Sequence, residues 1–174
     1  LEFEERDGIR IRKLIGNVIL EQDSTLFYCD VAYQYEDSNK IDAQGHVRVV
    51  MTDSVTLNAD RMIYFGNTKI VELYNNIILR QPPNTLTTNR MTYYRIPAYA
   101  VYVNHGTLRD TANTLTSIRG HYYTRTRTAL FGERVRLVGT DFHLRADSLV
   151  YNSRSRVSYF VSPTHITTSD SARM

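Results

Sequence analysis

Cysteine occurs once in these 174 residues and proline four times. The lone Cys29 excludes an internal disulfide framework, although exported proteins often have none, and a free thiol of this kind reads as a small buried apolar residue. Long apolar runs are missing too. The longest, Ile96 to Val103, is eight residues and is interrupted by Pro97, far below the roughly 20 that a helical membrane span needs. No basic leader precedes an apolar core, and the expectation is that any secretion signal has been removed. Catalytic signatures are absent as well: there is no Gly-rich phosphate loop, no G-x-S-x-G elbow and no H-E-x-x-H pair. His46, His105, His121, His143 and His165 are scattered, with no close pair and no Cys partner at zinc spacing. The expectation is a non-enzymatic chain with no catalytic residue, no metal and no cofactor.

What is present favours strands. Thirteen Tyr and six Phe accompany many Val, Ile and Thr, the residues that fit a pleated, half-buried surface. The net charge of +3 is unevenly laid out, because residues 1–105 hold 11 basic and 13 acidic side chains whereas 106–174 hold 10 and 5. Eighteen of the 21 basic residues are Arg, the side chain that grips phosphate in a planar fork. Arg and Tyr interleave in several stretches, yet no nucleic-acid motif accompanies them, so no nucleic-acid partner is expected.

The pattern is clearest in residues 46–65, HVRVVMTDSVTLNADRMIYF. Apolar residues alternate at Val47, Val49 and Met51, break at Thr52-Asp53-Ser54, and resume at Val55, Leu57 and Ala59, the two-residue period of half-buried strands around a turn. After Asp60 the phase slips by one, giving Met62 and Tyr64, which predicts a β-bulge in that strand. The unit, strand then turn then bent strand then a short third strand, recurs about every thirty residues: 16–44, 45–74, 75–104, 105–132 and 133–162, with a sixth starting at Pro163 and cut off at Met174. Pro82-Pro83-Asn84 replaces the Asp-Ser turn in the third unit, and the fourth, holding HYYTRTRT, is the most degenerate. Residues 1–15 read as a frayed lead-in strand to the repeat domain 16–174. The predicted class is all-β, an elongated antiparallel array whose units share one core, since a single unit cannot bury its own apolar face.

Just before each phase slip stands a column read as Asp30, Asp60, Asn89, Arg119 and Asp147, and four positions later one read as Gln34, Tyr64, Tyr93, Tyr123 and Tyr151. Asp and Asn satisfy stray backbone N–H groups at bends, and Arg119 would spoil a metal ladder, so the column reads as structural. Alternation turns one row inward: Val47, Val49, Leu57, Met62 and Tyr64; Ile77, Leu79, Leu86, Met91 and Tyr93; Val135, Leu137, Leu144, Leu149 and Tyr151. These rows would line an apolar trough or fill a core. Arg48, Arg80 and Arg136 fall on the outward row, which disfavours a membrane-embedded barrel.

The stretches LIGNVILEQDSTLFYCDVAYQYEDSNKIDAQGHVRV and VTLNADRMIYFGNTKIVELYNNIIL resemble the OstA/LptA family, periplasmic lipopolysaccharide-transport proteins that share a fold with LptC and the N-terminal domain of LptD. The order G-N-V, D-S/T, strand, A/C-D-x-x-x-Y, polar turn, K-hydrophobic and G-x-V is similar to OstA-like proteins of Bacteroidetes-type bacteria and covers about 14–162. The resemblance implies an open β-jellyroll whose apolar interior takes the acyl chains of lipopolysaccharide or its lipid A part on the way to the outer membrane. It makes the inward rows the candidate groove and places the chain in the periplasm or against the outer membrane. It also implies partners: other jellyroll proteins of the bridge, joined through edge strands, or further copies joined head to tail. Arg125, Arg127, Arg134 and Arg136 are candidates to meet lipid phosphates at the groove mouth. Two rivals stand beside this reading, a β-solenoid that binds or cleaves glycans, with carboxylates clustered on one face of adjacent turns, and a structural or adhesive scaffold with a filled core.

Overall fold

A computed structural model describes residues 1–6, 8–22, 24–51 and 54–168, apart from the side chain of Arg6. Asp23, Thr52-Asp53 and the end of the sixth unit, residues 169–174, lie outside the described residues. Among the described residues every element is a strand and every pairing is antiparallel. That arrangement differs from a β-solenoid, whose coils stack in parallel.

The chain runs as a meander: β1 (Glu2–Arg6), β2 (Ile9–Gln22), β3 (Thr25–Tyr35), β4 (Lys40–Val50), β5 (Thr56–Phe65), β6 (Ile70–Gln81) and β7 (Asn84–Tyr94) each pair with the next. The short third strand of one unit and the first strand of the following unit are a single long strand, as β4 and β6 show. β2 likewise crosses from the lead-in residues into the first unit. The fourth unit is where long strands break. β8 (Tyr99–Tyr102) and β9 (Gly106–Arg109) are two halves of one bent strand, as are β10 (Thr114–Ser117) and β11 (Arg119–Tyr123). The halves lie side by side between β7 and β12 (Thr128–Val138), so the meander continues through them. β13 (Phe142–Asn152) follows, and its halves pair with β14 (Val157–Phe160) and β15 (Thr164–Thr168).

Each long strand bends at mid-length, and the bend has one cause. Where the register slips, one residue of β3, β5, β7 or β13 faces two of the neighbouring strand: Asp30 faces Gly16-Asn17, Asp60 faces Gly45-His46, Asn89 faces Asn75-Asn76, and Asp147 faces Glu133-Arg134. These inserted pairs have positive φ throughout, the left-handed conformation that Gly and Asn adopt most readily. The predicted bulge therefore exists, but its extra residue belongs to the preceding or following strand and not to the strand carrying Asp60. The phase of β5 slips because two successive residues, Asp60 and Arg61, both face out opposite the bulge.

The bends fold the meander over on itself. One set of strand halves meets at turns 36–39, 66–69, 95–98, 124–127 and 153–156; we call it the first wall. The other set, the second wall, meets where β2 passes to β3 and β4 to β5, and at turns 82–83, 110–113 and 139–141. Five of the first-wall turns end on a left-handed residue, Asn39, Lys69, Ala98, Arg127 and Arg156, so they repeat in geometry with little repetition in sequence. The walls touch across the interior, with the Phe27 ring of the second wall 5.3 Å from that of Tyr64 on the first. The result is a β-jellyroll around a single apolar cluster running from Val18 to Tyr151. Cys29 is part of that cluster, 5% exposed, as expected.

Candidate functional site

All fifteen candidate groove residues point into the space between the walls. Leu57, Met62, Tyr64 and Leu79 are fully buried, and the least buried of the set, Tyr93 and Leu144, are 3% exposed. In this conformation the interior is filled by its own side chains.

The inward column needs one correction. Tyr122 is the buried tyrosine of the fourth unit and Tyr123 lies on the outer face, where its ring is 5.3 Å from that of Tyr99. The shift has a local origin. Ile118, not Arg119, occupies the bend between β10 and β11, so the bend column is Asp30, Asp60, Asn89, Ile118 and Asp147, at spacings of 30, 29, 29 and 29. The inward residue four places on is then Gln34, Tyr64, Tyr93, Tyr122 or Tyr151.

Three polar members of the column make side-chain hydrogen bonds at the bends. Asp30 bonds His46 Nδ1 at 2.8 Å, Asp60 accepts from Asn76 Nδ2 at 2.8 Å, and Asn89 Oδ1 accepts from the Asn76 backbone N–H at 3.3 Å. The Asp30 carboxylate raises the pKa of His46 by stabilising its charged form. Arg119, beside the column, pairs with Glu133 of the neighbouring bulge. Ile118 is apolar within the column, and no group of three His, Cys, Asp or Glu able to hold a metal is found among the described residues.

What closes the interior is a seam of polar contacts between the turns of the two walls, and the sequence did not point to most of it. Gln81, on the second wall, donates from Nε2 to the Thr124 carbonyl at 3.0 Å and accepts from the Tyr122 hydroxyl at 2.9 Å. Asn84 donates from Nδ2 to Tyr122 at 2.8 Å and to Ser153 Oγ at 2.6 Å. Arg127 reaches the Pro82 carbonyl at 2.9 Å, and Arg156 reaches Thr111 Oγ1 at 3.0 Å. Tyr151 donates to Asp110 and accepts from Asn113 Nδ2 at 3.0 Å. At the other end Arg95 bridges Tyr64, at 2.9 Å, to Thr25, at 2.5 Å. Burial pushes the Tyr151 phenol up to about 12, and the bond to Asp110 adds to the shift; burial also raises Tyr122. Both phenols therefore stay protonated, and remain donors, well above neutral pH. Among the described residues, Asn84 Oδ1 is a buried atom of the seam with no hydrogen-bond partner.

The four candidate arginines separate in space. Arg125 and Arg127 sit on a first-wall turn at the rim, where Arg125 donates to the Ile96 carbonyl at 2.9 Å. Arg134 belongs to the bulge of β12 and Arg136 to the outer face of the second wall, away from the mouth. Arg48, Arg80 and Arg136 are outward and exposed, as alternation requires.

Comparison with known proteins fits this geometry. A family profile described as OstA-like protein matches residues 1–147. Among solved structures the fold is similar to LptH, described as the LptA homologous periplasmic component of the lipopolysaccharide transport device of Pseudomonas aeruginosa; TM-score 0.59, 10% identity, 67% of this chain and 98% of that chain covered. No curated protein matches in sequence. At that identity the likeness carries the fold alone.

Proposed function

The chain belongs to the OstA-like family, and we propose that it is a non-enzymatic periplasmic carrier that takes the acyl chains of lipopolysaccharide, or of its lipid A part, between its two walls. The observation that supports this most is the contrast between the interior and its rim. A continuous apolar cluster spans the jellyroll, and along the mouth it is bounded by side-chain hydrogen bonds from turn to turn. Parting the walls exchanges side-chain contacts for contacts with lipid, apolar for apolar, so the main opposing quantity is the seam. Each of its bonds contributes about 1 kcal/mol net, several kcal/mol in all. Every methylene of an acyl chain sheltered from water contributes about 0.8 kcal/mol, so one chain of ordinary length is enough to offset the seam.

The groove residues are the fifteen named above, with Arg125 and Arg127 at the rim as candidates to meet lipid phosphates. β1 and the β14–β15 pair each hydrogen-bond to one neighbour among the described residues, and they expose Phe3, Tyr159 and Ile166. Such edges suit strand addition by another jellyroll protein or a second copy. The test of the carrier reading is opening. Nitroxide labels on Thr111→Cys and Arg156→Cys, read by pulsed electron spin resonance, should move apart when lipopolysaccharide is added. An unchanged distance in a sample shown to hold bound lipid would rule out entry between the walls at that point. The native thiol does not interfere, because Cys29 is buried and its pKa is pushed up to about 11, which suppresses the reactive thiolate.

A further inference from the structure

The outer faces of the two walls differ. On the first wall one cross-strand row reads Tyr35, Lys40, Phe65, Ile70, Tyr94, Tyr99 and Tyr123, largely aromatic. On the second wall the corresponding row reads Thr87, Thr107, Thr116, Arg136, Arg145 and His165, each directly opposite the next on its neighbouring strand. Like charges opposite one another in a sheet are destabilising, yet Arg136 and Arg145 stand face to face and His165 continues the row. Among the described residues neither guanidinium has a carboxylate partner, and all three side chains are exposed. Two shallow concavities, about 310 and 430 Å³, share Arg136, Arg145 and His165 in their linings. His143 and Thr167 border the second, and a single carboxylate, Asp147, borders the first.

We propose that this row is a binding site for a phosphate-type anion on the outer face of the second wall. Adjacent strands bring opposing side chains to within about 5 Å at Cβ, so two guanidinium forks can converge on one tetrahedral anion and make charge-assisted bonds. The anion relieves the repulsion between Arg136 and Arg145, two cations without a carboxylate partner among the described residues. The Thr116 and Thr167 hydroxyls on flanking strands supply neutral donors beside the charged ones. The site lies on the side of the wall away from the groove and does not depend on whether lipid enters the interior. The phosphate can be a free ion or the exposed monoester of a lipid headgroup.

The experiment uses the whole chain in two arms. In the first, inorganic phosphate is titrated while backbone amide resonances are followed, and saturable shifts should centre on residues 136, 145 and 165. In the second, co-sedimentation is measured with neutral phosphatidylcholine vesicles and with vesicles that also carry phosphatidic acid. The double variant Arg136→Gln/Arg145→Gln, both positions exposed, keeps the fold as judged by its amide spectrum and should weaken binding roughly thirtyfold. Saturable phosphate shifts without vesicle binding assign the site to a free anion; binding in both arms, weakened to that extent in the variant, assigns it to a headgroup. Shifts that are not saturable, or wild-type binding by the double variant, would overturn the proposal.

Discussion

Gly120→Leu should destabilise the protein by about 3 kcal/mol or more, lowering its melting temperature by roughly 6–12 °C for a chain of this size. Gly120 pairs directly with Tyr102 across β11 and β8, and a Cβ at Gly120 would stand 2.6 Å from the Tyr102 ring. A Cβ at Gly106 would meet the same ring from its other side at 2.3 Å. The ring thus fills the space that two side-chain-free residues leave open where the fourth unit bends. It cannot move away easily, because it is 1% exposed and its hydroxyl shares a 2.5 Å hydrogen bond with Ser117, which in turn donates to the Arg119 carbonyl at 2.8 Å. Burial pushes that phenol up to about 12, so the bond persists at any ordinary pH. Gly132→Ala is the matched control. Its added Cβ would meet nothing closer than Arg119 Cγ at 3.6 Å, and the change should stay within about 0.5 kcal/mol. Thermal unfolding followed by circular dichroism separates the two variants; equal melting temperatures would show that the ring is not wedged between the glycines.

Stapling the mouth should stop lipid uptake without harming the fold. A short, reductively cleavable bis-thiol reagent bridging Thr111→Cys and Arg156→Cys replaces the hydrogen bond that joins these turns with a covalent link. When only an open form accepts ligand, apparent affinity falls in proportion to the population of that form. A staple that cuts this population by a factor of ten therefore weakens lipopolysaccharide binding roughly tenfold, and cleavage of the staple should restore it. Undiminished binding by the stapled protein would mean that lipid does not pass between these turns.

The sequence made the faces of the strands legible and left their partners hidden. Alternation and its phase slip were enough to place Leu57, Leu86 and Leu144 inside, and Arg48, Arg80 and Arg136 outside, since a side chain's face follows from local geometry alone. The position of the extra residue was misread because a bulge is shared by two strands. The slip shows in the strand that carries Asp60, while the inserted left-handed pair is Gly45-His46 opposite it. The repeated pairs Gly16-Asn17, Gly45-His46, Asn75-Asn76 and Asn104-His105, rich in residues that tolerate positive φ, are the signal that would have located it. Arg119 and Tyr123 were each one place too far along because the fourth unit carries Ile118 where the others carry Asp or Asn. The seam was out of reach for a different reason. Asn84 and Ser153 are 69 positions apart in sequence, and only the folding over of the two walls brings them together; along the chain Asn84 reads as part of a Pro-Pro-Asn turn and nothing more.

The central claim, that acyl chains lie between the walls, is tested most directly by photo-crosslinking. A small diazirine side chain is placed in turn at Leu57, Tyr93 and Leu144, with outward Arg48 as the control, and each folded protein is irradiated with lipopolysaccharide. Capture at the three inward positions and not at Arg48 is the expected result. No capture at any inward position, in proteins that remain folded, would contradict it and leave a filled scaffold in place of a carrier.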